Sequence, residues 1–280
     1  MMRIRPSLPL LVTMIFATPL IAHDTWLAPG QFRAARPGRV TLSLSSGMEF
    51  PKLDHAIAAD RVETARWRSS RGTGTLPAGT TGAQALEFRA DAGPGVTAFS
   101  VVLHPRPSKL KREQVREYVH HLGIPNADAV YAEWERSSTM EETGYRYMKY
   151  AKTFVRTGAA GRARVWTEPV GMRLELVPRN DPTSLVSGAT LEVLLLGRGR
   201  PLPHYPVTLV QEGANEPIAS KTDSEGRVRL ALSNAGRSML RATTLEASAQ
   251  NATAWDVHFT TLTFNVAPRG NDIPGDRGDP

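Results

Sequence analysis

Segments in which apolar and polar residues alternate recur in the first half of the chain and predict β-strands. Residues 40–44 read Val-Thr-Leu-Ser-Leu, and the apolar segments 86–88 and 96–103 are separated by the turn Gly93-Pro94-Gly95. Short strands divided by glycine and proline in this way are typical of antiparallel sandwiches. We therefore predict a first β-sandwich over residues 23–180.

The apolar spacing changes to three or four residues between about residues 108 and 137, which predicts a helical insertion in that sandwich. Ser108 is a candidate N-cap for a first helix, which is expected to end at Gly123. Asn126 is expected to begin a second helix.

Aromatic and β-forming residues dominate residues 145–155, which favours a strand over a helix there. Tyr145, Tyr147 and Lys149 would share one face of this strand. These long side chains are expected either to line a polar pocket or to cover the edge of a half-buried sheet.

The second half of the chain, after a linking segment at residues 169–178, contains about six further strands within residues 181–268. They predict a small immunoglobulin-like sandwich. The whole chain is thus predicted to be mainly β, with two β-sandwich modules and a short helical insertion in the first. Residues 269–280, rich in glycine, aspartate and proline, are expected to be disordered.

Composition limits the chemistry that the chain can perform. None of the 280 residues is cysteine, so disulfides, thiolate metal sites, thiol nucleophiles and c-type haem attachment are excluded. The formal net charge is +7, but the basic residues are scattered, so we expect a solvated surface and no nucleic-acid partner. After the first residues, no apolar run reaches the roughly eighteen residues of a membrane span. We therefore expect the mature protein not to be embedded in a membrane.

Residues 1–22 have the features of an export signal. Arg3 and Arg5 give a basic start, residues 10–17 form an apolar segment too short to cross a bilayer, and Pro19 interrupts it. We therefore expect a cleavable signal peptide over residues 1–22 and a mature protein in the periplasm.

The cleavage position decides what His23 can do. Cleavage after Ala22 would make His23 the amino terminus, whereas cleavage after Ala17 would leave it inside the chain. A terminal histidine offers an imidazole and a free α-amine, which can chelate one metal ion together. Imidazole suits copper, nickel and zinc, and the α-amine has a reference pKa of about 8, so its proton is lost readily to a metal.

Four motifs follow one another along the chain: residues 23–27 directly after the leader, 147–154, 171–178 ahead of the second module, and 258–264. Their order resembles DUF4198, a bacterial family of domains of unknown function that is associated with periplasmic nickel uptake. The resemblance covers nearly the whole mature chain. It implies a metal-uptake role, with a metal transporter of the inner or outer membrane as partner, and it implies no catalytic mechanism.

The second module also resembles prealbumin-like and collagen-adhesin B-type repeats. The resemblance rests on residues 200–202, 207–209, the acidic turn 222–226 and Gly236, which reproduce a proline-led entry, an apolar strand and a turn closed by glycine.

Metal sites need several neutral nitrogens that converge, with further groups behind them. His258 is the best candidate partner for His23, since it shares a strand face with inward-pointing residues, and Asp24 or Asp256 could accept its other N–H. The rival interpretation is an interfacial histidine hydrogen-bonded to a carboxylate or the backbone. His104, at the end of a predicted strand, is a candidate third ligand. The two loop histidines, His55 and His204, are expected at the surface.

The favoured hypothesis is a periplasmic protein that binds nickel, cobalt or copper through His23 and His258 for uptake or delivery, without enzymatic activity. The alternative is a non-enzymatic β-sandwich protein that recognises a protein or a glycan. A third possibility is an oxidative copper enzyme, because a terminal histidine plus a second histidine also describes copper monooxygenase sites. No serine-nucleophile elbow, zinc-protease helix or phosphate-binding loop occurs in the sequence, so hydrolase chemistry is unsupported.

Overall fold

The computed structural model describes residues 23–159, 161–248 and 255–270. The predicted leader, residues 1–22, and residues 271–280 of the predicted tail lie outside the described residues. The strands and helices are, in chain order, β1 (Asp24–Pro29), β2 (Arg33–Ala34), β3 (Gly38–Gly47), β4 (His55–Ala56), β5 (Val62–Ser69), β6 (Gly72–Thr75), β7 (Thr80–Thr81), β8 (Leu86–Ala92), β9 (Gly95–Leu103), β10 (Arg106–Lys111), α1 (Arg112–His121), α2 (Ala127–Ser137), β11 (Glu142–Thr157), β12 (Leu174–Pro178), β13 (Thr190–Gly197), β14 (Arg200–Pro201), β15 (Pro206–Gln211), β16 (Ile218–Lys221), β17 (Arg227–Ala231), β18 (Gly236–Ala247) and β19 (Trp255–Val266).

The mainly β fold predicted from the sequence is confirmed, and the described strands form three sheets. A ten-stranded sheet has the order β16-β15-β18-β19-β11-β9-β5-β6, and β10 and β2 also pair with β11. A five-stranded sheet contains β1, β3, β4, β7 and β8, and a four-stranded sheet contains β12, β13, β14 and β17.

Strand β11 lies near the middle of the ten-stranded sheet and supplies side chains to both of its faces. Alternate residues of a strand point to opposite faces. Ala151 and Val155 enter the core beneath the five-stranded sheet, and we call this the front face. Tyr150 and Phe154 enter the core shared with the four-stranded sheet, and we call this the back face. The large sheet is thus covered by one smaller sheet on each side.

The two predicted modules share the ten-stranded sheet. β11 belongs to the first module and β19 to the second, and they pair in parallel from Tyr145↔Trp255 to Thr153↔Thr263. The predicted boundary at residues 180/181 therefore does not separate two sheets, because strands from both sides of it are hydrogen-bonded neighbours.

The predicted helical insertion is present, although its first helix begins later than expected. α1 starts at Arg112, since Ser108 lies in β10 opposite Tyr145 and does not cap the helix. Asn126 precedes α2 as predicted, with a left-handed backbone conformation (φ 58°). The helices cover one end of the front face, where Tyr118 packs on Tyr145. Neither helix in the described part of the chain has the length and apolar character needed to cross a membrane.

A buried ion pair joins the back face to the beginning of β12. Lys152 Nζ lies 2.7 Å from Glu175 Oε1, and both side chains are only 1% exposed. The same carboxylate accepts hydrogen bonds from the backbone N–H groups of Val170, Gly171 and Met172. Burial lowers the pKa of Lys152, and the Glu175 carboxylate opposes that shift. Glu175 thus fixes the linking segment, with its charge balanced inside the protein.

Replacing Lys152 with methionine is expected to lower the free energy of unfolding by about 3–5 kcal/mol, because Glu175 would stay buried without a counter-charge. The exposed pair Lys109–Glu142 provides the control, and Lys109→Met is expected to cost less than about 1 kcal/mol. Urea unfolding followed by tryptophan fluorescence at pH 7 measures both values. Equally small losses in the two variants would contradict a structural role for the buried pair.

Candidate metal centre

Contacts along β1 fix the chain immediately after His23. β1 pairs antiparallel with β3 along its whole length. On its other side, the hydroxyls of Thr261 and Thr263 in β19 donate hydrogen bonds to the carbonyls of Thr25 and Leu27, at 2.7 and 2.5 Å. His23 therefore lies at the edge of the front face, at the start of a strand held from two directions.

A side chain from β11 holds the backbone of His23 itself. Lys149 Nζ donates a hydrogen bond to the carbonyl oxygen of His23 at 2.7 Å, and it lies 3.0 Å from Thr25 Oγ1 and 3.4 Å from Ser46 Oγ. Burial lowers the pKa of Lys149 to about 8. The residue expected to become the amino terminus is thus tied to the middle of the large sheet.

The short strand β4 brings a second histidine to the same place. His55 pairs with Ser46 of β3, whose partner on the other side is Thr25 of β1. The ring centroids of His23 and His55 lie 5.4 Å apart, with their planes inclined by 43°. His55, which was expected at the surface, has a side chain that is 60% exposed, but it lies beside another histidine.

Neighbouring polar groups support His55 in this position. The carboxylate of Asp54 lies 3.4 Å from His55 Nε2. The N–H of Asp54 donates to Ser45 Oγ at 3.1 Å, and that hydroxyl donates to the carbonyl of Gln84 at 2.7 Å. Ser45 is fully buried, so the segment that carries Asp54 and His55 is anchored from inside the sheet.

Gly47 allows this segment to fold back over β3. A Cβ at Gly47 would lie 3.0 Å from the Cβ of Asp54 and 3.1 Å from the ring of Trp26. Carbon atoms in favourable contact lie about 3.5–4.0 Å apart, so a side chain here would push Asp54 away from β3. The absence of a side chain at Gly47 therefore lets Asp54, the residue before His55, pack closely on β3.

The geometry of the two rings suits a transition metal ion. With metal–nitrogen bonds of about 2.0 Å, two imidazoles on one ion have centroids roughly 4.5–6 Å apart, and the observed separation is 5.4 Å. Within the described residues, no three side chains of the His, Cys, Asp and Glu types are grouped to hold an ion. A third nitrogen could come from the α-amine that cleavage after Ala22 would create on His23.

The predicted convergence of His23 and His258 is wrong. His258 Nδ1 lies 2.9 Å from the hydroxyl of Tyr150, which is on the back face. Lys149, the next residue of β11 in the opposite direction, reaches His23 on the front face. Because the ten-stranded sheet lies between the two faces, one ion cannot bind both histidines.

His258 forms a separate polar group on the back face. Its side chain is 2% exposed, and its Nε2 lies 3.8 Å from Glu246 Oε2, beyond hydrogen-bond distance. Glu246 is paired instead with Arg173 and Arg198, at 2.6 and 2.5 Å. Burial lowers the pKa of His258 to about 4, so the imidazole is neutral near pH 7.

The carboxylates expected to support His258 have other partners. Asp24 forms an ion pair with Arg241, and Asp256 forms one with Arg146. The hydrogen-bonding partner of His258 is the hydroxyl of Tyr150, which the sequence pattern does not indicate.

His104, the predicted third ligand, lies at the surface directly after β9. Its N–H donates to the carbonyl of Arg61 at 2.8 Å, and its own carbonyl accepts from the Arg61 guanidinium at 3.1 Å. In the part of the chain that the structure describes, it does not complete a three-residue group with His23 and His55.

Sequence reasoning thus missed His55 and Lys149. No local motif marks His55, since its place depends on the pairing of β4 with β3. Lys149 had a usable signal, because the alternation within residues 145–155 put it on one face with Tyr145 and Tyr147, and that face is the one that meets β1.

A family model described as "Domain of unknown function (DUF4198)" matches residues 20–246. Among solved structures, the Escherichia coli adhesin FdeC is 17% identical over 88% of this chain and 65% of that chain, with a TM-score of 0.24. A two-domain fibronectin type III segment of chicken tenascin is 12% identical over 87% and 99%, with a TM-score of 0.24. The Yersinia pseudotuberculosis adhesin InvE is 14% identical over 88% and 61%, with a TM-score of 0.22.

This chain spans less than two thirds of the FdeC and InvE chains. Likenesses with such TM-scores say nothing about its function. No curated protein matches the chain.

The buried His258 is expected to make the protein less stable in weak acid. Its pKa is about 4 in the folded protein and 6.5 when unperturbed, so between these values the unfolded chain binds a proton that the folded protein does not. Stability therefore falls as the pH drops from about 6.5 to about 4. Between pH 7 and pH 5 this contribution is about 2 kcal/mol.

Urea unfolding of the wild type and of His258→Gln at pH 7 and pH 5 measures this contribution. The variant is expected to lose about 2 kcal/mol less than the wild type over this range. The exposed His204→Gln serves as the control and is expected to behave like the wild type. Parallel losses in the wild type and His258→Gln would show that His258 does not carry the effect.

Proposed function

The chain belongs to the DUF4198 family, and we propose that it is an exported, periplasmic protein that binds a divalent transition metal ion for uptake or delivery. The ion is nickel, cobalt or copper. Its ligands are the α-amine and imidazole of His23 together with the imidazole of His55. The observation that carries this proposal is the 5.4 Å separation of the two ring centroids.

The chemistry of these donors supports such a metal. Imidazole is a good ligand for copper and nickel, and copper is bound most tightly among the first-row divalent ions. Asp54 lies beside His55 Nε2, which leaves Nδ1 of that ring for the ion. Carboxylates behind metal-binding histidines fix the tautomer and the orientation of the ring.

The exposure of the site supports a carrier that passes its ion on. The side chain of His55 is 60% exposed, so a partner protein can reach the ligands. Structural metal sites, by contrast, are closed by four protein ligands. The nickel-uptake association that the resemblance implies is compatible with this role, and a metal transporter of the inner or outer membrane is the proposed partner.

The test uses the secreted protein, with its intact mass measured to establish that it begins at His23. Calorimetric titration with Cu²⁺, Ni²⁺ and Co²⁺ is expected to give one equivalent bound at micromolar affinity or tighter for at least one of them. His23→Ala, His55→Ala and a form with one glycine added before His23 are each expected to bind at least about tenfold more weakly. His204→Ala, which changes an exposed histidine elsewhere, is expected to match the wild type.

Each contrary outcome has a separate meaning. A correctly processed wild type that binds none of the three ions would refute the proposal and favour the alternative of adhesion to a protein or glycan. Unchanged affinity in His55→Ala would remove this residue from the site and leave only the terminal chelate.

A further inference from the structure

The ammonium of Lys149 has an environment that is unusual for a charge. Its hydrogen-bond acceptors are uncharged oxygens, namely the carbonyl of His23 and the hydroxyls of Thr25 and Ser46. It also lies 5.7 Å from the ring centroid of Tyr147 and 6.0 Å from that of Phe259. Burial disfavours the charge of Lys149, and the attraction of the Asp24 carboxylate, which is itself paired with Arg241, only partly offsets this effect. The fold alone therefore gives little reason for a charged side chain at this position.

The shortest of these hydrogen bonds is made to His23, the residue that is expected to become the amino terminus. Terminal residues fray because few contacts hold them, and ordering one costs conformational entropy. A hydrogen bond from an ammonium to a carbonyl is stronger than one between neutral groups. At 2.7 Å from Lys149, the His23 carbonyl is fixed in spite of its position before the first strand.

We propose that Lys149 is a positioning residue for the metal site, which holds His23 so that its chelating nitrogens face His55. This inference rests on the proposed function. The carbonyl carbon of His23 is bonded to the Cα that carries both the amine and the imidazole, so fixing the carbonyl fixes the point about which these two groups turn and confines them to the neighbourhood of His55. The entropy of the terminal residue is then lost during folding and not during metal binding, which raises the affinity.

A positioning role for Lys149 predicts different effects of its substitution on thermal stability and on metal affinity. Lys149→Met removes the partly buried charge and keeps an apolar chain of similar length, so the thermal midpoint is expected to stay the same or rise. The same variant is expected to bind Cu²⁺ about 10–100-fold more weakly, the loss typical of groups that support metal ligands. Lys149→Arg keeps a donor that can reach the carbonyl and is expected to recover most of the affinity.

The experiment compares the wild type, Lys149→Met, Lys149→Arg and the surface control Lys109→Met, each shown by intact mass to begin at His23. Cu²⁺ affinity is measured by competition with a chelator, and the electron paramagnetic resonance spectrum reports the nitrogens bound to the ion. Lys149→Met is expected to show a mixture of species in place of one, while the control matches the wild type. If Lys149→Met does not fold, Lys149→Gln, whose side chain is shorter, takes its place.

Equal affinity and an identical spectrum in the wild type and the Lys149→Met or Lys149→Gln variant would overturn the inference while leaving the metal site intact. A loss of affinity that Lys149→Arg does not recover would also overturn it, since the donor would then be irrelevant. A wild type that binds no copper, nickel or cobalt would overturn both this inference and the proposed function.

Discussion

The parallel pairing of β11 with β19 determines how the rest of the molecule is arranged. Both strands lie inside the ten-stranded sheet, so their side chains alternate between two faces that must each be covered. One small sheet and the helices cover the front, and the other small sheet covers the back. Because of this alternation, the side chains of two lysines of β11 lie on opposite faces of the sheet. Lys149 reaches the start of β1 on one side, whereas Lys152 neutralises Glu175 on the other.

Much of the secondary structure was predictable because it depends on local patterns. Residues 40–44, 86–88 and 96–103 all lie within observed strands, and Asn126 precedes α2 as expected. The sheet partners were not predictable, since β11 and β19 are about 110 residues apart in sequence and no local signal specifies their pairing. Ser108 is a second case in which strand pairing was not predictable from local sequence. Its preference for capping a helix is overridden by the pairing of β10 with β11.

The candidate site was likewise predictable only where it depends on local sequence. His23 is a candidate on the basis of the residues around it alone. His258 does point inward as expected, but a strand inside a sheet has two inward faces, and its own period of two does not reveal which one meets β1. His55 lies on a two-residue strand that is supported by the hydroxyl of Ser45 and by the close packing that Gly47 allows. These are properties of the assembled sheet.

The hydroxyl-to-carbonyl contacts between β19 and β1 join segments that lie 236 residues apart in the chain. Contacts over such separations close slowly, because the entropy of the intervening loop is lost before the contact stabilises anything. β1 can make these contacts only once the last strand is available, so we expect the surroundings of His23 to form late in folding. A chain that crosses a membrane unfolded is not delayed by this order, since its first and last strands are both present when folding begins.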